Sequence, residues 1–398
     1  MSSTQLDVVI IGGGIQGLLA LNALVGKGYS CALVSDGDLG SGQTLHSHGY
    51  LNTGFGMFGP ELPHASADVV QPYLEERGLE LSHDWVMIPP PNMPLFEGLP
   101  TATLPSGFAA PPGLSAVGLP DRSVPKRRLV EIVSQSNADR ILRGCATPRW
   151  TGTRVEAVSV RVPGSSDEVV LSTKAIVVAA GCGSKRLLQG LVGETPQIEQ
   201  IKHRRVHMLC VRAPRGSLPT TSVVAMPLGL MLAAHDQPDN VTWYVTPMEM
   251  GGRSYDDIPV DAASDVDPEL VARGCATLLT LFPRLPEVHG LQLGCYAGYR
   301  QDVGDLPGNR MCELVEGTEN VIIALPSGLV GPWLNATRTC DIVGGLFDPS
   351  RSHAPLPGGG AGVRIGSVVE DRPDFVWRGW DEWLQQYPQL SVQTSRQK

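Results

Sequence analysis

The chain has 398 residues, with 31 Lys and Arg against 40 Asp and Glu and a formal net charge of −9. That length allows roughly two domains and an apolar core of ordinary size. An acidic chain whose basic clusters are only Lys126-Arg127-Arg128 and Lys202-His203-Arg204-Arg205 lacks the footprint of a nucleic-acid binder, and both clusters read as solvated surface or local carboxylate contacts. The eight cysteines are dispersed, with no C-x-x-C pair and no zinc spacing. Cys31 and Cys210 sit inside apolar runs as small buried hydrophobes, so a reducing cytoplasm is expected. No signal-peptide pattern and no run of about 18 apolar residues occurs, so neither export nor a membrane span is expected.

Residues 6–11, LDVVII, form a short β-branched apolar run suited to a strand buried on both faces of a parallel sheet. Gly12, Gly14 and Gly17 follow as G-x-G-x-x-G. The first permits a tight turn, the second lets backbone approach a pyrophosphate, and the third lets the next helix pack on the strand. Residues 15–27 read as that helix, ending at Gly28, and SCALV as the second strand. Strand, glycines, helix and strand in this order make a dinucleotide fingerprint, with the pyrophosphate on the helix N-terminus. The acidic residue that normally ends the second strand and holds the ribose falls at Ser35, with Asp36 next. Either Asp36 takes the role after a small shift, or Ser35 does so as a weaker partner.

A nicotinamide dehydrogenase would continue into further βα units, whereas this chain enters the loop DGDLGSGQTLHSHGYLNTGFG (36–56), with His46 and His48 one residue apart. The stretch 87–114 is rich in proline and reads as a surface wrap or lid. Residues 201–250 alternate as strands do, with two apolar strands around a polar Asp-Gln-Pro-Asp-Asn turn. In the tail from 351, the glycines of LPGGGAGVRIG follow a Pro-rich loop rather than a strand and are not a second nucleotide site.

The 36–56 loop resembles the flavin-facing loop of the D-amino-acid oxidase superfamily of FAD enzymes, which includes glycine and sarcosine oxidases, dimethylglycine dehydrogenase and L-2-hydroxyglutarate oxidase. Three further segments share the resemblance: STKAIVVAAGCGSKRLL (172–188), GYRQDVGDLPG (298–308) and ENVIIALPSGLVGPWLNATRTCDIVGGL (319–346). The Gly-Asp-Ala-x-His segment of aromatic hydroxylases is missing where ALPSGLVGPW stands. The resemblance implies an α/β fold: a Rossmann-like FAD-binding domain, discontinuous over 1–85, 125–200 and 295–350, with an inserted antiparallel-sheet substrate domain from 86–124 and 201–294. Residues 351–398 are then a C-terminal extension.

It implies FAD held by Gly12, Gly14, Ile15, Gln16, Gly17, Ser35, Asp36, Gln43, Thr44, His46, Ser47, Gly49, Ala180, Gly181, Gly328, Leu329, Val330 and Gly331. At His46 three roles stay open: a covalent 8α tether to the flavin, a non-covalent contact with it by His46 or His48, or two loop histidines bonded only to nearby backbone. The implied activity is hydride transfer to flavin N5 from the C–H beside an amine or hydroxyl of a small carboxylate-bearing molecule, an amino acid, N-methyl amine or 2-hydroxy acid. His46 and His48 are candidate bases, and His207 and His235 are rivals read as structural. Arg300 is the expected carboxylate fork, although Gln301 follows it where the family often has proline. Tyr244, Tyr296, Tyr299 and Trp333 are candidates to line the pocket. The electron acceptor, oxygen or a carrier, is not readable. Two alternatives stay open: a tailoring oxidase acting on a larger secondary-metabolite substrate, and a non-catalytic FAD-binding subunit.

Overall fold

The computed structural model describes residues 4–52, 65–82, 84–90, 98–164, 168–247, 254–255, 266–304, 310–326, 328–351, 356 and 358–391. The end of the flavin-facing loop from Thr53, the proline-rich residues 91–97, the Asp305-Leu306-Pro307 segment and Ser327 lie outside the described residues.

In chain order the elements that position the site are β1 (Thr4–Ile11), α1 (Ile15–Gly26), β2 (Cys31–Ser35), α2 (Gln43–His46), β3 (Trp85–Ile88), α3 (Lys126–Gln135), β4 (Ile141–Arg143), β5 (Cys145–Thr151), β6 (Arg154–Arg161) and β7 (Glu168–Val178). There follow β8 (Ile201–Pro214), β9 (Ser222–Ala225), β10 (Leu230–Asp236), β11 (Asn240–Pro247), α4 (Pro268–Leu281), β12 (Gln292–Val303), β13 (Met311–Leu314), β14 (Val321–Leu325) and α5 (Gly331–Leu346).

A floor sheet runs β13-β14-β7-β1-β2-β4, with β5 and β6 carried off β7. The β14-β7-β1-β2-β4 run is parallel throughout. The expected opening is therefore present: the apolar run forms β1, the glycines turn it into α1, and SCALV supplies β2. Both faces of this sheet are buried, Val8 and Ile10 against α1 and α5 and Val9 and Ile11 in the opposite core, which is why β1 reads as continuously apolar rather than alternating.

A second sheet, the roof, runs β12-β8-β11-β10-β9-β3 and is antiparallel except where β3 and β9 pair. The polar turn expected near 236–240 joins β10 to β11, closed by Gln237 N–H on Asn240 C=O at 2.9 Å. Sheet membership bears on the expected partition in two places. The whole of β12 belongs to the roof, paired from Ile201↔Val303 to Arg212↔Gln292, so the boundary at 295 cuts a strand. The tail is not an appendage either: Arg378–Gly379 adds to the edge of β12, and Trp383 is fully buried in the roof core. Among the described residues no helix is long and apolar enough to cross a membrane.

Candidate active site

The glycines of the first turn are fixed by contact. Gly12 has φ +126°, and a Cβ there would lie 2.3 Å from the Ala179 carbonyl oxygen. A Cβ on Gly17 would lie 2.0 Å from the Gly12 carbonyl oxygen, so α1 approaches β1 as only glycine permits. Gly14 stands at the N-cap of α1 with no side-chain cap, leaving backbone N–H groups at the positive end of the helix. Ile15 N–H is taken by the Thr44 hydroxyl at 3.1 Å, which brings the flavin-facing loop onto this helix end. Gln16 is only 3% exposed, yet neither its Oε1 nor its Nε2 has a partner among the described residues. A buried primary amide without partners is costly, and beside a glycine cradle and a helix N-terminus it fits a polar dinucleotide. Ser35 is buried, faces Gly13 and donates to Gly37 C=O at 2.9 Å, while Asp36 is exposed.

Ala180 and Gly181 follow β7 directly, Gly181 with φ +54°, and Ala179 N–H bonds Ile11 C=O at 2.8 Å. On the far side of the floor, Gly328 (φ +61°), Leu329 and Val330 lead into α5, which begins at Gly331 with no side-chain cap. Trp333 lies in its first turn, edge-on to Tyr73, with its indole N–H buried and without a partner among the described residues.

The loop that carries the two histidines is built by short local bonds. α2 spans Gln43–His46; the Ser47 hydroxyl donates to Thr44 C=O (2.9 Å) and accepts Gly49 N–H (3.2 Å). Gln43 Oε1 accepts Gln301 N–H from the roof at 3.3 Å. The His46 ring lies edge-on to Tyr296, whose hydroxyl donates to the His46 carbonyl at 2.8 Å. His48 Nε2 lies 2.7 Å from the Thr246 hydroxyl, which itself donates to Met208 Sδ at 3.1 Å. With the Thr246 hydroxyl donating to Met208, His48 Nε2–H would be the donor and Nδ1 would carry the lone pair. His235 Nε2–H in turn donates to the His48 carbonyl at 2.7 Å.

These imidazoles do not hold the ordinary histidine range. Burial, then the Arg372 and Lys126 charges, bring His46 down to about 4. Burial, then Lys126, Arg300 and His235, bring His48 to about 3. Burial and Lys126 bring His235 to about 4, opposed by its bond to the His48 carbonyl. All three are neutral at pH 7, and His48 is a much weaker base than an unperturbed imidazole. His207, the other rival, lies elsewhere: its Nε2 accepts Asp267 N–H at 2.9 Å, capping the approach to α4.

Strand alternation sorts the roof residues. Tyr296, Gly298, Arg300 and Asp302 share one face of β12, with Met208 and Arg204 opposite them on β8. Gly298 is open enough for a Cβ there to sit 3.6 Å from His46 Cβ. Arg300 Nε and Arg204 Nε each donate to one oxygen of Asp302, both at 2.9 Å. Tyr299 takes the opposite face with Gln301, and Tyr244 is buried against His235. Of the aromatic candidates it is thus Tyr296 that meets the histidine loop, and parity with Arg300 was the signal for it. Lys126 and Thr246 were not singled out from the sequence at all.

A glycine-turned βαβ start, a histidine loop laid over the helix N-terminus and an arginine-bearing antiparallel roof define a flavin-dependent oxidoreductase. Residues 7–151 match the family model of the FAD dependent oxidoreductases. An FAD-dependent oxidoreductase from Pseudomonas aeruginosa shares the fold at 21% identity and a TM-score of 0.70, over 92% of this chain and 98% of that one. Glycine oxidase from Geobacillus kaustophilus does so at 17% identity and 0.65, over 86% and 95%. L-proline dehydrogenase from P. horikoshii does so at 15% and 0.62, over 87% and 94%. No curated protein gives a significant match.

Proposed function

We propose that this oxidoreductase removes hydride from the C–H beside the nitrogen of a small amine that carries one carboxylate. The observation that carries the reading is the Arg300-Asp302-Arg204 group on the roof face shared with Tyr296 and Met208. Arg300 and Arg204 both reach Asp302, and a guanidinium held in this way offers the planar fork that takes a substrate carboxylate. Bound FAD would supply the hydride acceptor, and Gly12, Gly14, Gln16, Gly17, Thr44, Gly181 and the turn at Gly328–Gly331 are the groups that would hold it. The low basicity of His48 favours an amine over an alcohol, because a neutral amine can lose hydride without a base for a hydroxyl proton, whereas a 2-hydroxy acid needs one. The names of glycine oxidase, L-proline dehydrogenase and iminodiacetate oxidase among the structures of the same fold agree with an amine beside a carboxylate.

A second reading, a 2-hydroxy acid, keeps His48 Nδ1 as the base. A carboxylate docking on Arg300 would offset one of the cations that lower it and raise its basicity.

The test is anaerobic bleaching of the bound flavin by a panel of amino acids, N-methyl amino acids and 2-hydroxy acids. Bleaching by the amines supports the first reading, bleaching by the hydroxy acids alone replaces it with the second, and a silent panel refutes both. Acid precipitation of the same preparation settles His46: yellow colour in the pellet that His46→Ala releases means a tether, and colour in the supernatant means contact only.

A further inference from the structure

Lys126 opens α3 inside an apparent surface run of Lys-Arg-Arg, and Arg127 and Arg128 do pair with Glu131 at the surface. Lys126 does not. It is 4% exposed, with Nζ 3.8 Å above the Tyr244 ring and 4.0 Å from Glu370 Oε1, and Glu370 is itself 6% exposed. Neither group has a hydrogen-bond partner for these atoms among the described residues. A loose buried pair of this kind is a poor stabiliser, since apolar side chains of similar volume do as well or better. Something other than stability is the better account of it.

We propose that Lys126 is a positioning residue of the flavin-facing loop, tying the His48-Gly49 turn to the C-terminal turn Val369–Asp371 through Glu370. The geometry is direct. Gly49 has φ +73°, and a Cβ there would lie 3.2 Å from Lys126 Cγ, 2.9 Å from His235 Cε1 and 2.5 Å from the Val124 carbonyl oxygen. Val124 N–H donates to Gly49 C=O at 2.8 Å, and His235 donates to His48 C=O. The turn is thus gripped by the residues before α3, by β10 and by the lysine stem. Among the described residues, the ionisable groups whose charges couple to Lys126 come from the site or the tail: His46 and His48 from the loop, His235 from β10, Cys210 from β8, and Glu370 and Asp371 from the C-terminal turn, with the Tyr244 ring of β11 beneath the ammonium. Arg212 of β8 also faces Glu370. Burial lowers the Lys126 ammonium, against the pull of Glu370, and burial raises the Glu370 carboxyl, against the pull of Lys126.

The proposal rests on FAD binding at this loop, and the experiment separates the two. FAD affinity is measured by fluorescence titration of the apoprotein between about pH 5 and about pH 8 for wild type, Lys126→Met, Glu370→Gln and the double variant. Glu370→Gln removes the charge that faces Lys126, so it should bind FAD several-fold more weakly than wild type. Lys126→Met and the double variant should weaken binding alike, by about ten-fold, because one link is broken in both. Additive losses in the double variant, or unchanged affinities, would overturn the proposal. If Lys126→Met alone fails to fold, the double variant, which leaves no unpaired buried charge, carries the comparison with Glu370→Gln. A wild-type protein that takes up no FAD refutes the flavin reading instead.

Discussion

Replacing Arg300 by methionine tests the proposed substrate charge most directly. The change keeps an unbranched stem on the roof face and removes the guanidinium, so one positive charge is lost from that face. Truncating one partner of a buried, hydrogen-bonded charge pair costs about 2–5 kcal/mol. The Arg300 side chain is 32% exposed and its loss leaves Asp302 still paired with Arg204, which places the effect in the lower half of that range, about 2–3 kcal/mol, or about 30- to 150-fold in KM. kcat should change much less, because a carboxylate clamp serves ground state and transition state alike. His48 should also respond. Arg300 is one of the cations that lower it, after burial and Lys126, so its titration, followed by NMR of labelled imidazoles, should move upward in the variant. Steady-state kinetics with the best amine of the panel supplies the assay. A KM within about three-fold of wild type, or a fall confined to kcat, would show that the carboxylate is held elsewhere.

Gly17→Ala places a methyl group 2.0 Å from the Gly12 carbonyl; the protein should purify without flavin or fail to accumulate, and a normal flavin-to-protein ratio would refute the close helix–strand packing. Gln16→Leu should raise the stability of the apoprotein by about 1–3 kcal/mol, since it removes an unpaired buried amide, while weakening FAD binding; a leucine variant that is less stable without FAD and binds it normally would show that Gln16 has no part in the cofactor site. Asp7 is held at about 2, burial raising it but Lys174, Ser350 and Ser30 lowering it more. Its folded pKa lies below the unfolded one, so its contribution of about 2 kcal/mol is present above the unfolded value and is lost as pH falls from about 4 to about 2. Asp7→Asn should remove that part of the acid dependence of urea midpoints, and an unchanged slope would rule it out.

The opening βαβ unit was legible because its signals are local: an apolar run, three glycines at fixed offsets and a second apolar run. Arg300 and the histidine loop were found by resemblance, but their surroundings were not. The depressed basicity of His46 and His48 comes from burial under a roof contributed by distant strands, and nothing near residue 46 announces it. The sequence left the Lys126 cluster as solvated surface or local carboxylate contacts, and for Lys126 the structure gives the second, with Glu370 from the distant C-terminal turn. Tyr296 was within reach: counting by two from Arg300 selects it over Tyr299. The expected boundary at 295 falls inside β12 because the small and aromatic residues of GCYAGYR alternate without the clear apolar and polar contrast that marks a strand.

The floor sheet joins segments from opposite ends of the chain. β1 lies between β2, its close neighbour in sequence, and β7; β14 reaches β7 only after the roof strands have been laid down between them. Contacts of such long sequence separation form slowly, whereas the β9-β10-β11 meander pairs neighbours and can form early. The folding sequence implied is an early β9-β10-β11 meander, followed by the long-range β3-β9 and β8-β12 pairings of the roof and the β7-β14 pairing of the floor. The N-terminal glycine turn would then be an idle half-site through most of refolding, and uptake of FAD would trail the appearance of β structure.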